Sequence, residues 1–395
     1  MGEHALLGPS GAHRWLNCTP SARLEQQFPE STSDYAEEGS LAHEICELKL
    51  RKHFIDPMGP RIFKNKLKKL QENRLYQDEM LRHTDTYLNH IQGLVHGYAS
   101  PPYITVERKL SYSKYVPEGF GTADCIIIGG NVMHVIDFKY GQGVPVSAHK
   151  NPQMMLYAVG AILEYSMLYN IEQIVMVIIQ PRLNSITEFI MSADDLLYWV
   201  TNSVMGLAER AWKGEGEYLS GEHCKFCRAN SLCRARAEFN TSLEEYGYRK
   251  PPLLTNDEVG EILEKAQDLA KWAADIEKYA LAEILKGTEI PGWKAVAGRG
   301  SRKFINIDEA FKHLISNGYD EALLYNREPL TAPKIEEVLG KAKYDELLTA
   351  HVIKSPGKPT LAPASDTREA FQQYDLKELF KSEIRGNEIS PLIPQ

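Results

Sequence analysis

Two apolar, β-branched runs that face each other across Gly129-Gly130-Asn131 constrain this chain more than any other stretch of its sequence. Gly121 to Ile128 and Val132 to Lys139 read as strands, and the glycines and asparagine between them as a hairpin turn. Within these otherwise apolar strands sit Asp124, Asp137 and Lys139. Ionisable side chains in such places are costly unless they are paired or bind a metal. Strand alternation puts Asp137 and Lys139 on one face, with Ile136 and Phe138 on the other. With Gly130-Asn131 as a two-residue turn, Gly129 faces Val132, and stepping outward sets Asp124 opposite Asp137, with Cβ atoms about 4.5–5.5 Å apart. Two carboxylates that close repel each other unless a cation lies between them, and an oxygen-rich site suits Mg2+ or Mn2+. Such an ion activates water and offsets the charge that builds on a phosphate, while Lys139 orients or activates the nucleophile. Phosphodiester hydrolysis fits this set. The plain alternative is a hairpin with an incidental Asp-Lys pair.

The neighbouring sequence extends the hairpin. Tyr103 to Leu110 has the same strand character, and Gln173 to Gln180 and Ile186 to Ser192 follow a helical stretch from Pro152 to about Tyr169. A second helix is expected from Ala193 to Trp212. The order β-β-β-α-β predicts an α/β or α+β fold and excludes a doubly wound sheet. Upstream, Ser40 is the expected N-cap of a helix from Leu41 to His53. Pro57 to Gln71 then carries Arg61, Lys64, Lys66, Lys68 and Lys69 and one acidic-free surface, read either as a solvated face or as a patch that tracks phosphates. Beyond a boundary at Pro251-Pro252, apolar residues from Val259 to Ile284 recur at a helical period, opened by a Thr255/Glu258 capping box and stopped by Gly287. A helix over Ile307 to Ser316 and a Pro-rich, extended tail from Ser355 to Ser365 follow.

At 395 residues, 43% hydrophobic and 25% charged, the chain has room for two domains and a sizeable core. No stretch approaches the roughly 18 apolar residues of a membrane span, and Met1 to Trp15 lacks the plan of a signal peptide, so a cytoplasmic location is expected. The net charge of -8 excludes a polycation, so any nucleic-acid contact must be local. No repeat of fixed period argues for a solenoid, and no Gly-x-x-x-x-Gly-Lys-Ser/Thr segment argues for ATP use.

Six cysteines are too few for a disulfide scaffold, yet three of them form Cys224-x2-Cys227-x5-Cys233. Three thiolates need a fourth to complete either a tetrahedral zinc site or a 4Fe-4S cluster. Spacing by itself favours zinc.

The Asp124, Asp137-Phe138-Lys139 set resembles the PD-(D/E)xK nuclease superfamily, in particular its RecB-like branch. The resemblance implies a restriction-endonuclease-like core with a mixed central sheet flanked by helices, and a mainly helical C-terminal region. It assigns His43, in Gly39-Ser40-Leu41-Ala42-His43-Glu44, as a metal ligand on an upstream helix, together with Asp124, Asp137 and the backbone carbonyl of Phe138. Lys139 then lies beside the attacking water. Gln153 and Tyr157, one helical turn apart, resemble the branch's Gln-x-x-x-Tyr pair and are expected to contact DNA or the lysine. Glu107, in Val-Glu-Arg-Lys, falls where many members keep an acidic residue, and His134 alternates to the opposite face from Asp137. Cys18 is the expected fourth ligand, because Cys46 and Cys125 are better explained as buried apolar residues. With the nuclease motifs between Cys18 and the trio, the layout is similar to iron-sulfur nucleases related to AddB and to CRISPR-associated RecB-like exonucleases. It implies a structural 4Fe-4S cluster over zinc. Lys225, Arg228, Arg234 and Arg236 are expected to offset thiolate charge or meet a DNA backbone.

The motifs lie between residues 10 and 240. Ile290-Pro-Gly-Trp-Lys and Gly357-Lys-Pro-Thr-Leu look like uncharacterised phage and prophage RecB-like proteins. The implied activity is a Mg2+- or Mn2+-dependent DNA exonuclease without its own ATPase, digesting linear duplex 5′ to 3′ to leave 3′ overhangs for recombination. The implied partners are DNA ends, a phage single-strand annealing protein and further copies of the chain. Residues 252–395, with Arg299, Arg302 and Lys303, are the candidates for oligomer or partner contacts. The competing readings are a non-catalytic iron-sulfur DNA-binding subunit and an endonuclease or CRISPR-adaptation-type processing nuclease.

Overall fold

Among the described residues the centre of the molecule is one five-stranded sheet in sequence order. The strands are β1 (Tyr103–Ser111), β2 (Phe120–Gly129), β3 (Val132–Phe138), β4 (Gln173–Gln180) and β5 (Ser185–Ser192). The structure, a computed structural model, describes residues 5–29, 33–247, 253–296, 306–317 and 339–348, with positions 320, 321, 324, 335, 351 and 352. β1, β2 and β3 form an antiparallel meander, β3 and β4 run parallel, and β4 and β5 are antiparallel, so the sheet is mixed. The parallel pair needs a crossover, which α6 (Pro152–Tyr165) supplies. Its N-cap is Asn151, whose side chain accepts from Gln153 N and Met154 N. Gly130 takes a φ of 61°, as the tight turn requires, and Gly129 pairs with Val132, so the register expected from the turn is the one formed.

Strand alternation divides the core in two. On one face Ile126, Ile128, Met133, Val135, Ile174 and Ile178 pack with α6 and with α7 (Ala193–Trp199) and α8 (Met205–Lys213), which are joined by a π turn over Val200–Val204. The short α1 (Ala12–Asn17) and α2 (Ser21–Glu25) lie on the same side, Trp15 and Ala22 joining this core. On the other face Cys125, Ile127, Ile136, Phe138, Val175 and Val177 pack with α3 (Asp34–Leu50) and α5 (Glu79–His96). β4 is buried on both faces from Ile174 onward, as its unbroken apolar run demands. His134 lies on the α5 face, away from Asp137, and is tied to the Tyr98 hydroxyl at 2.9 Å.

Two local expectations change, and the basic run is helical. The helix carrying His43 starts at Asp34, capped by Ser33, whose hydroxyl accepts from Ala36 N; Ser40 lies inside it and donates to the Ala36 carbonyl. Nothing between Asp34 and Gly39 breaks a helix, so the earlier cap wins. The basic run forms α4 (Pro60–Gln71), with Pro60 in the first turn where its missing N–H costs nothing. The helix after β3 ends at Tyr165 rather than Tyr169.

After α8 the chain forms a 3-10 turn over Glu222–Phe226, then α9 (Arg234–Thr241) and α10 (Glu244–Gly247). The long amphipathic helix is α11 (Asn256–Leu285), with both halves of the Thr255/Glu258 capping box formed and Gly287 at φ 94° beyond its end. The chain divides into two units, Met1–Val296 and Ala297–Gln395, and α11 belongs to the first. In the second, helices span Ile307–Ser316, capped by Asn306, and Lys341–Leu348. Pro251-Pro252, Arg299, Arg302, Lys303, Gly357-Lys-Pro-Thr-Leu and the tail from Ser355 to Ser365 lie outside the described residues. No described helix is long and apolar enough to cross a membrane.

Candidate metal centre

Three acidic residues stand at one level across three adjacent strands. The β1–β2 ladder pairs Val106 with Cys125 and Arg108 with Ala123, which sets Glu107 opposite Asp124. The β2–β3 ladder pairs Cys125 with Ile136, and one further step sets Asp124 opposite Asp137. At that step the ladder gives way to a side chain: Asp124 Oδ2 accepts the Phe138 N–H at 2.7 Å.

Glu107 has a φ of 50° in the middle of a strand. For a residue with a Cβ this costs on the order of 1–3 kcal/mol and persists only where the surroundings enforce it. His43, Glu107 and Asp124 each offer a ligand atom, and these atoms lie within 4.8 Å of one another. His43 is delivered by α3, its ring set edge-on to Phe138 with centroids 5.3 Å apart, and its Nδ1 lies 3.5 Å from Asp124 Oδ2.

The electrostatics of this trio call for a cation. Burial, then the charges of Asp124 and Glu47, push the Glu107 carboxyl up to about 8. Burial also raises Asp124, with His43 opposing and Asp137 adding to the shift. Two carboxylates whose charged forms are both disfavoured by burial and by neighbouring carboxylates, beside a histidine, are a donor set that fits a hard divalent ion.

Asp137 lies outside that trio and is held by a different set. Its side chain is 3% exposed. Oδ1 accepts from Lys139 Nζ and from Gln153 Nε2, each at 3.3 Å. Lys139 Nζ is 3.0 Å from Oδ2 but out of line for a hydrogen bond, so that buried oxygen lacks one. Lys139 Nζ also donates to Gln153 Oε1 at 3.3 Å, and Gln153 Nε2 meets the Tyr157 hydroxyl at 3.2 Å. Burial presses the Lys139 ammonium toward its neutral form, but the Asp137 and Asp124 carboxylates outweigh it and hold its pKa above the ordinary value. Burial raises the Tyr157 hydroxyl, so it serves as a neutral group. The backbone of Phe138 meets the site through its N–H to Asp124.

Gln180, expected only as the end of a strand, also shapes the site. It ends β4, is 2% exposed, and spends its amide on the loop after Lys139: Oε1 accepts from Val146 N at 2.7 Å, and Nε2 donates to the carbonyls of Val144 and Gly141 at 3.1 and 3.4 Å. The available signal was a glutamine closing an otherwise apolar strand.

The cysteines lie around the junction of the N-terminal helices with the segment after α8. Cys18 and Cys224 are buried, Cys227 and Cys233 half-buried. Arg14 donates to the Phe226 carbonyl and pairs with Glu25 at 2.7 Å, while Glu25 also accepts the Arg228 N–H at 2.8 Å. Burial lowers His223, but hydrogen bonds with the Cys18 thiol and the Leu219 carbonyl prevail and raise it, which places Cys18 beside the residue preceding Cys224. Burial pushes the Cys227 thiol up to about 12. Among the described residues no three of the four sulfurs lie within 4.8 Å of one another. Cys46 and Cys125 are core residues of the α3 face.

Arg236 takes neither of its expected roles. It is 1% exposed and clamped by two aspartates of α11, Asp268 at 3.1 Å and Asp275 at 2.9 Å, with Asn240 also bonded to Asp268. α11 is thereby docked on α9, and the guanidinium is spent on packing.

A solved structure described as "Crystal structure of SSO0001" is similar to this chain at 16% identity and a TM-score of 0.23, covering 57% of this chain and 96% of that one, a likeness that informs neither fold nor chemistry. The match that places the chain is to a family model described as "Protein of unknown function (DUF2800)", which spans residues 4–369, and the chain belongs to that family.

Proposed function

We propose that this chain is a metal-dependent deoxyribonuclease of the PD-(D/E)xK type, RecB-like in its motif order, acting as an exonuclease on linear duplex DNA. The observation that carries this reading is the row Glu107, Asp124, Asp137, flanked by His43 on one side and Lys139 on the other. His43, Glu107 and Asp124 would hold the divalent ion, and Asp137 and the Phe138 carbonyl remain candidates for completing its shell. Bound there, Mg2+ or Mn2+ would supply Lewis acidity to a phosphate oxygen and lower the pKa of a water. Asp137 and Gln153 fix Lys139 from two sides, so its ammonium is pre-positioned. Kept charged, Lys139 suits stabilising phosphate charge and orienting water better than abstracting a proton. Tyr157 braces Gln153 from one helical turn away.

The finer parts of the reading rest on the motif resemblance. They are intracellular 5′ to 3′ digestion leaving 3′ overhangs, delivery of the strand to a single-strand annealing protein, and a structural 4Fe-4S cluster on Cys18, Cys224, Cys227 and Cys233. The hydrogen-bonded seam between the N-terminal helices and residues 223–228 supports a group that fastens the two ends of the core, and the preference for a cluster over zinc rests on the motif resemblance.

The deciding experiment incubates purified protein with end-labelled linear and closed circular DNA, with Mn2+ or with EDTA. Mn2+-dependent loss of the linear DNA alone is expected. Cutting of closed circles at the same rate would replace the exonuclease with an endonuclease, and no cutting of either by a folded, metal-loaded protein would remove the nuclease reading.

A further inference from the structure

α4 is a cationic surface, with no ion-pair partner for its Lys and Arg side chains among the described residues. Arg61, Lys64, Lys66, Lys68 and Lys69 are all exposed, and the helix carries no acidic residue between Pro60 and Gln71. A merely solvated helix mixes charge signs along its face, whereas like charges at i,i+4 spacing weaken the helix that bears them. Such a row on a molecule of net charge -8 is a local reversal of sign.

Its position relates it to the candidate metal centre. The Lys52 ammonium, just past the end of α3, sits 4.0 Å over the Phe63 ring near the start of α4. At the other end Arg74 pairs with Asp34 at 2.6 Å and Glu37 at 2.9 Å, near the start of α3. α4 therefore returns antiparallel along the helix that carries His43, and packed helices lie about 8–10 Å apart. Leu67 and Leu70 pack on the α3 face of the core and Phe63 lies under the Lys52 ammonium, while all five cations stay exposed. That packing also argues against a lipid surface, since an interfacial helix needs its apolar face for the bilayer.

Resting on the deoxyribonuclease reading, we propose that α4 is the surface along which the backbone of duplex DNA lies as its end enters the metal centre. Twelve residues at about 1.5 Å each span about 18 Å, which matches about five base-pair steps at about 3.4 Å along the duplex axis. The contact carries no sequence information; it supplies charge that the rest of the molecule lacks.

The test is fluorescence anisotropy of a labelled duplex with intact protein in EDTA, where no cutting occurs, across a series of salt concentrations. The comparison variant combines Lys64→Gln, Lys66→Gln, Lys68→Gln and Lys69→Gln, and a second variant places arginine at the same four positions. The expected result is a slope of log affinity against log salt that is shallower by about 3–4 in the glutamine variant and unchanged in the arginine variant. An unchanged slope in a folded glutamine variant overturns the proposal, as does wild-type protein that binds phosphatidylserine vesicles through α4 and not the duplex. The nuclease reading fails separately: α4-dependent duplex binding by a protein that never cuts leaves this surface standing and removes the catalysis.

Discussion

The Asp124 carboxylate stands where the β2–β3 ladder would have continued, accepting the Phe138 N–H at 2.7 Å in place of a backbone carbonyl. One side chain thus finishes the sheet and belongs to the metal trio. Asp124→Asn keeps an acceptor for Phe138 and removes the charge. Cleavage is expected to fall about 100-fold or more. The metal-free protein should melt at the same temperature or higher, because the raised Asp124 carboxyl is already disfavoured as an anion. A large drop in melting temperature with activity retained would assign Asp124 to the sheet alone.

Glu107 sets a pH dependence of stability. Its folded-state pKa of about 8 lies above its ordinary value of 4.5, so the folded state binds this proton more tightly than the unfolded one. The stabilisation is complete below 4.5 and is lost as the pH rises through about 8. In EDTA, urea midpoints should therefore decline across that window. Saturating Mg2+ should flatten the decline, and Glu107→Gln should remove Glu107's share of it. A midpoint that rises with pH over the same range in EDTA would contradict the assignment.

Lys139 and Asp137 are a buried pair, and breaking one side is costly. Lys139→Met is expected to lower cleavage by about 100-fold or more and stability by about 2–4 kcal/mol, the latter because Asp137 is left without its cation. Adding Asp137→Asn to that variant should restore most of the stability and none of the activity. Denaturant titration of the single and double variants checks the first expectation, and product release the second.

Cys18 should report on what the cysteines hold. Protein purified without air is expected to be brown, with iron and acid-labile sulfide in comparable amounts, and Cys18→Ser should bleach it and loosen the N-terminal helices to proteolysis. Colourless protein with stoichiometric zinc would replace the cluster with a single ion.

Removing the guanidinium between α9 and α11 should free the long helix. Arg236→Ala leaves Asp268 and Asp275, two turns apart on one face of α11, without their shared cation, at a cost of about 1–3 kcal/mol since both carboxylates are partly solvated. Limited proteolysis should then cut within Asn256–Leu285 before the sheet is attacked. Unchanged protection of α11 would mean that its apolar stripe alone holds it.

Strands, turn and register were legible in residue order because they depend on neighbours. A period of two, a Gly-Asn turn and a capping box act over a few residues, and from them follow the Asp124–Asp137 juxtaposition and the ends of α11. Residue order also placed Lys139 on the face of Asp137. It could not choose between Ser33 and Ser40, since both offer a hydroxyl and the stretch between them tolerates a helix. The union of Glu107 with His43, the burial of Arg236 among aspartates some thirty residues away, Gln180's hold on the loop after Lys139, and the place of Cys18 beside His223 were decided only by tertiary structure. Each brings together groups that residue order keeps apart. Burial fixes what such a group becomes, because a charge out of water must find a partner, and which partner it finds depends on how the layers pack.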